Sequence, residues 1–458
     1  MVIYWLLLTL IVMIVICYFI FKKDIMAPPF VACSGFAFSV LCCIYNIEYW
    51  AVDLHWITYG VIVGGLSVFI ISAGIVYAIF DALNKKSVSQ SNGEKIRQSQ
   101  LLKPINIYPL NLLIFLIFSI IILALYYSAV MQMVTSHGGT GSWNELMHTY
   151  RNVSSYNLLN LEEQISPIIR WSFQIIVLGG YVCLYIMINN FVINHKVEVV
   201  LVLVVVFSLA SSLLTAGRTD LIRFFVITIV VYYFLWRKKV GWALKFKLKN
   251  SLTILIAILL SLGSFVAVRT IVGRSGYSDP VYYITFYAGG PLQLLDMYLQ
   301  NPLPAHDIWG YETFYGINRF IGDWFNVSKY KYLVHKEFRH IYGVNIGNVY
   351  TAFRSYVRDF GYVGMIILTS IFSSFFAIYH NILRRRQLFP LEQKKKFPID
   401  IPLLIYAYLF IVVVIMFFAD FFYASLLSFG ILKNVIIICL LSWYFTRIKI
   451  VFSKKRCV

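Results

Sequence analysis

VVLVLVVVFSLASSLLTAGRTDLIRFFVITIVVYYFLW, residues 199–236, consists of two apolar runs joined at Gly217-Arg218-Thr219-Asp220. Each run approaches the roughly 20 apolar residues that one helix needs to cross a bilayer core. The charged junction falls where a chain leaving a membrane and returning to it would turn. The pattern recurs outward from here. Of the 458 residues, 60% are hydrophobic and 13% charged, a balance that marks an integral membrane protein and excludes a soluble globular one. Apolar runs near 2–21, 25–45, 57–80, 108–130, 167–193, 197–215, 220–236, 251–270, 361–381, 399–418 and 426–446 predict an all-α polytopic membrane protein of about eleven transmembrane helices, forming one membrane domain over residues 1–458. The first run lacks a basic segment ahead of it, and Lys22 and Lys23 follow it. That is the pattern of a retained helix rather than a cleaved signal peptide.

Basic residues set the expected orientation. With the amino terminus outside, 25 of the 39 Lys and Arg residues fall on the cytoplasmic side, 13 fall outside and Lys433 lies mid-span. The positive-inside rule favours this topology. The formal charge of +19 then needs no nucleic acid, since basic inner loops face anionic lipid. The kind of basic residue also differs by side. Inside, 18 of 25 are Lys; outside, ten of 13 are Arg: Arg151, Arg170, Arg218, Arg223, Arg269, Arg274, Arg319, Arg339, Arg354 and Arg358. The planar guanidinium matches two oxygens of a phosphate or carboxylate at once, so the outer face is suited to anions. The seven cysteines lie in spans or at the inner tail, which argues against a disulfide framework.

Two outer segments are long, 131–166 and 271–360, and loops of the second one's length tend to carry function. Within it, VYYITFYAGGPLQLLDMYLQNP (281–302) is read as an interfacial or re-entrant pair of short helices broken at Gly289-Gly290-Pro291. GGTGS at 138–142 lacks the Gly-Lys-Ser/Thr ending of a phosphate-binding loop.

Three constellations could carry chemistry. In SLLTAGRTDLIRFF (212–225), Arg218 is expected to point into a cavity and bind a diphosphate, whereas Asp220 and Arg223 have the i, i+3 spacing of an ordinary ion pair. VRTIVGRSG places Arg269 and Arg274 at the end of the eighth run, where headgroup contact is the alternative. In GNVYTAFRSYVRDFGYVG (347–364), Arg354 and Arg358 share one helical face, beside Asp359. Asn348, Tyr350 and Thr351 offer amide and hydroxyl groups to a sugar, and Gly361 and Gly364 allow close helix packing. His306, Asp307, Glu312, Asp323, His335, Glu337 and His340 are scattered through the same long loop; any of them could act as a base, although charges in a loop are usually solvated. No metal-ligand spacing is present.

TAGRT (215–219), the long outer loop and NVYTAFRSYVRDFGYVG (348–364) together resemble the Wzy-type polymerases of oligosaccharide repeat units in bacterial O-antigen and capsule assembly. The His-led motif of the related ligases is replaced here by Asn348, which argues against ligase activity. The resemblance implies a glycosyltransferase at the outer face of the bacterial cytoplasmic membrane. A glycan on undecaprenyl diphosphate is transferred to a hydroxyl of the next lipid-linked unit, without cofactor, metal or nucleic acid. Implied partners are the lipid-linked oligosaccharides and membrane lipid, with flippase and chain-length regulator proteins. On this reading Arg218, Arg223, Arg269, Arg274 and Arg358 bind diphosphate. Arg218 and Arg354 assist the leaving group, Asp359 or His340 serves as base, and Asn348, Tyr350 and Thr351 hold sugar. Two alternatives stay open: a lipid-linked oligosaccharide flippase or transporter, and a glycosyltransferase using polyprenyl-phosphate sugars, for which Glu48 and Asp53 lack the close spacing of the usual acidic pair.

Overall fold

The computed structural model describes residues 1–90, 102–136, 138–139, 142–156, 165–215, 217–242, 248–269, 271–272, 279–304, 306–334, 336–341, 343–388 and 397–449. Among these the regular structure is helical, apart from one antiparallel hairpin of β1 (Arg339–Ile341) and β2 (Val344–Gly347). Eight described helices are long and apolar enough to cross a membrane, and three shorter apolar helices cover Val199–Thr215, Leu252–Ala267 and Ile401–Val414. Each of the apolar runs read from the sequence falls on one of these helices. The protein is an all-α polytopic membrane protein.

The chain divides into two compact units, of which the first comprises residues 1–98, 279–391 and 409–433. It contains α1 (Val2–Ile20), α2 (Pro28–Tyr45) and α3 (Trp56–Gln90). The second comprises residues 99–278, 392–408 and 434–458; α4 (Pro109–Ser136), α5 (Trp143–Tyr156), α6 (Pro167–Asn194), α7 (Val199–Ser212), α8 (Thr219–Val240) and α9 (Leu248–Ala267) belong to it. The first unit continues with α10 (Pro280–Gln300), α11 (Tyr315–Trp324), the hairpin and α12 (Ala352–Leu388). Beyond them, α13 (Ile401–Leu409) and α14 (Phe429–Arg447) lie mostly in the second unit.

In the first unit α10 packs along α2, and α12 along α3. Lipid tails are as apolar as leucine, so such helices associate through close packing and hydrogen bonds rather than through exclusion of water. The expected break at Gly289-Gly290-Pro291 does not occur: α10 is one helix with Pro291 inside it. Gly289 serves close approach instead. A Cβ at Gly289 would lie 2.7 Å from the backbone nitrogen of Cys43 on α2. Ser39 Oγ of α2 donates to the Ala288 carbonyl at 2.6 Å, beside the Tyr287 carbonyl that Pro291 leaves without its helical N–H.

Helix α12 begins nine residues before the apolar run that announced it, and it is interrupted at Gly361, with φ 66° and ψ −169°. Only glycine adopts that combination without strain. No atom lies within 4 Å of where a Cβ would stand, so Gly361 is there for its backbone freedom and not for close packing. At Gly364 a Cβ would lie 2.0 Å from that of Phe360, four residues earlier in α12, so the close contact there is within the helix's own chain and not with another helix. A second interruption follows Ile411–Val414, where the chain leaves helical geometry before the π-turn Phe422–Leu426. The N–H of Ala352, at the start of α12, donates to the Met416 carbonyl in this irregular stretch at 3.1 Å.

The second unit uses the same devices. Gly180 of α6 faces Ser208 of α7, and Gly179 faces the Phe115 ring of α4. Tyr126 and Phe173 stack at 4.0 Å, and the Tyr126 hydroxyl meets that of Tyr150 at 2.7 Å, tying α5 to α4. The six described cysteines are free.

Candidate functional site

The long segment between α10 and α12 folds onto the start of α12 through an ionic cluster. Arg354 and Arg358 project from one face, one turn apart, as their spacing requires. Glu312 reaches them from the loop that follows α10. Its Oε2 accepts from Arg354 Nη1 at 3.1 Å and from Ser355 Oγ at 3.3 Å, and its Oε1 accepts from Arg358 Nη1. Lys336 Nζ stands 3.7 Å from the same carboxylate and donates to Ser355 Oγ at 3.1 Å. Glu337 takes the other edge of Arg354 at 2.5 Å, and Arg339 Nη2 at 3.1 Å. Arg339 in turn donates to the Met297 and Asn301 carbonyls at the carboxyl end of α10, at 2.6 and 2.9 Å.

Aromatic faces line the cluster. The Arg354 guanidinium lies over the rings of Tyr350 (4.1 Å) and Tyr298 (4.8 Å), and that of Arg358 over Tyr311 (5.4 Å). Such contacts favour a guanidinium more as water is withdrawn. Tyr311 is stacked between His306 at 3.8 Å and Tyr332 at 4.7 Å.

Burial sorts these groups by what they can reach. Arg354 and Glu312 have fully buried side chains, whereas Arg358, Lys336 and Glu337 retain 10%, 20% and 24% exposure. Burial pushes the Lys336 amine down, with Glu312 opposing and Arg354 adding to the fall. Burial works against the Glu337 carboxylate too, but Arg354 and Arg339 outweigh it and hold the group below the usual range. Asp420, in the irregular stretch after Val414, is buried, and that burial pushes it up to about 7 against the pull of the Phe422 and Tyr423 N–H groups, Lys336 and the Tyr356 hydroxyl.

The residues expected to act are placed as follows. Arg354 pairs with two carboxylates and Arg358 with one. Asp359 Oδ2 accepts the N–H groups of Glu312 and Thr313 at 2.9 and 2.7 Å, so it fixes the loop that carries Glu312. His340 is exposed on β1, Asn348 is half-buried, and Tyr350 and Thr351 are fully buried. The Tyr350 hydroxyl donates to the Glu337 carbonyl at 3.0 Å, which commits it to the cluster. In the sequence Glu312 and Glu337 stood among the loop residues that could act as a base; the signal that could have raised them as ion-pair partners is the need of Arg354 and Arg358 for counter-ions.

In the second unit the 3₁₀ turn Leu213–Thr215 ends the shorter apolar helix, and Thr215 Oγ1 accepts from the Gly217 N–H at 3.3 Å. Arg218 occupies the N-cap position of α8, is 7% exposed, and lies with its guanidinium 4.0 Å from the Phe265 ring centre. Arg223 pairs with Asp220 at 2.5 Å, over the Tyr408 ring, while Asp220 also accepts from the Tyr181 hydroxyl at 3.0 Å. Arg269 is half-buried just after α9. Arg274 lies outside the described residues.

Compared with known proteins, the chain matches no family model, no curated protein and no solved structure.

Proposed function

We propose that this protein is a membrane glycosyltransferase that joins lipid-diphosphate-linked oligosaccharide repeat units into polymer, working at the outer face of a bacterial cytoplasmic membrane. The observation that carries this reading is the ionic cluster on α12. A buried ion-pair network is a poor stability device, because desolvating its charges cancels most of their attraction and a well-packed apolar core would hold as firmly. What such a network can do is present groups in fixed positions. This one presents an edge of Arg358, the Lys336 amine and the Glu337 carboxylate at its surface. Glycosyl transfer from a lipid diphosphate asks for such cations to neutralise the departing diphosphate, and a carboxylate can accept hydrogen bonds from sugar hydroxyls. Arg354 is a positioning residue in this scheme, enclosed beneath Glu337 and Arg358. Arg218, at its buried turn in the second unit, is the further arginine assigned to a diphosphate.

The test is the size distribution of lipid-linked glycan in cells lacking the gene, complemented with wild type or with Arg218→Ala. The reading expects the deletion strain to stop at one repeat unit, wild type to restore a ladder, and the variant to lose about a hundredfold or more in polymer formation. Retention of full-length chains in the deletion strain would overturn it.

Transport of the lipid-linked unit is a second reading, favoured by the interruptions at Gly361 and after Val414, with buried Asp420 in the latter. Broken helices around a buried charge are frequent in transporters. Single units accumulating on the cytoplasmic face of the deletion strain would support transport, and units accumulating on the outer face would support polymerisation.

A further inference from the structure

Outside the ionic cluster, the first unit holds a carboxylate-imidazole pair. His55 ends the first outer connection, and its carbonyl accepts the N–H groups of Thr58 and Tyr59 as α3 begins. Asp296, on α10, is 2% exposed. Its Oδ1 accepts from the His55 N–H at 2.9 Å and from Thr58 Oγ1 at 2.6 Å, and its Oδ2 stands 2.9 Å from His55 Nδ1. A carboxylate only accepts hydrogen bonds, so Nδ1 is the donor to Asp296, and in the neutral ring Nε2 keeps the lone pair. The imidazole is 49% exposed while its carboxylate partner is 3% exposed. A buried acid that fixes the tautomer and orientation of a solvent-facing imidazole is the arrangement of a general base.

Capping of α3 is the plainer account of Asp296, and it explains Oδ1, which serves the helix start. It leaves Oδ2, which serves the ring alone. The pair also shares a support with the ionic cluster. Residue 297, next to Asp296, gives its carbonyl to Arg339, and Arg339 holds Glu337.

We propose that His55 is the catalytic base of this site and that Asp296 is its positioning residue, with a saccharide hydroxyl as the group it deprotonates. The assignment rests on the glycosyltransferase reading above. In the step, His55 Nε2 takes the proton of the acceptor hydroxyl while that oxygen bonds to the anomeric carbon of the donor. The bond from that carbon to the diphosphate oxygen breaks, and its electron pair leaves with the diphosphate. Asp296 stabilises the imidazolium, whose proton then passes to solvent. An exposed aromatic residue, Trp56, follows the histidine in the chain. Aromatic faces of this kind pack against the apolar faces of sugar rings.

The experiment uses the full-length protein in two arms. In cells lacking the gene, His55→Gln is expected to reach the membrane at the wild-type level yet to lower polymer formation by about 100-fold or more, the usual worth of a general base. Asp296→Asn is expected to retain partial activity with a displaced acid limb in its pH profile, a shift that loss of a helix cap alone would not cause. The second arm does not depend on the reaction: acylation of His55 by diethyl pyrocarbonate at one pH, mapped by mass spectrometry, should change in rate in Asp296→Asn. A wild-type ladder from His55→Gln overturns the assignment and leaves the glycosyltransferase reading standing. A full ladder in the deletion strain overturns that reading and, with it, the base role. The acylation arm then shows whether the pair itself holds, and an unchanged acylation rate in Asp296→Asn refutes it.

Discussion

Glu312 is one carboxylate set among three cations, Arg354, Arg358 and Lys336, and it is wholly buried. Replacing it with Gln keeps its volume but leaves Arg354 with half of its counter-charge. Removing one partner of a buried pair costs about 3 to 5 kcal/mol. Glu312→Gln should therefore lower the thermal unfolding midpoint in detergent sharply, whereas Asp323→Asn, at the exposed pair with Arg319, should leave it unchanged. Equal midpoints for the two variants would show that the cluster does not hold the loop. The helical face shared by Arg354 and Arg358 was legible from their spacing. Their partner was not, because a glutamate 42 residues upstream in a polar loop reads as solvated until the loop is seen to fold back. His55 was equally hidden: its chemistry comes from an aspartate 241 residues away, and no local pattern links the two.

At the scale of elements, three glycine positions of similar appearance do different things. Gly289 admits the backbone of α2, Gly361 bends α12, and Gly74 on α3 has nothing within 4 Å of its Cβ position. Gly361→Ala forces a side chain into a region reserved for glycine, at a cost on the order of 1 to 3 kcal/mol. Gly74→Ala should be neutral or slightly stabilising, since alanine favours a helix interior by about 1 kcal/mol over glycine. Unfolding midpoints of the two variants check this, and a Gly361→Ala protein as stable as wild type would mean that the interruption is dispensable. The apolar runs themselves were readable because a membrane span must be long and apolar whatever it packs against. Whether Gly-Gly-Pro breaks a helix or lets another approach depends on the neighbour, and the sequence does not show the neighbour.

For the molecule as a whole, the distribution of basic residues predicts that the turn at Lys22-Lys23 faces the cytoplasm and that α11 lies outside. Both sites offer accessible positions, since Lys23 is exposed and Trp324 is 70% exposed. A membrane-impermeant maleimide applied to intact cells should label Trp324→Cys directly, and should label Lys23→Cys only after permeabilisation. The described native cysteines on α1, α2 and α6 are buried, which limits background. The reverse pattern would invert the topology and remove the basis for an outward-facing site.

The sequence by itself determined the class of this protein, its apolar helices and the bias of its charges, because each of these follows from solvation: apolar runs seek lipid, and lysines stay with anionic headgroups. Tertiary structure decided the rest. It determined that Glu312 neutralises two arginines, that Asp296 holds His55, and that one glycine bends a helix while another receives a neighbour. The reason is that a counter-ion, a hydrogen-bond partner or a packing surface can be supplied by any part of the chain, and only folding brings that part into contact.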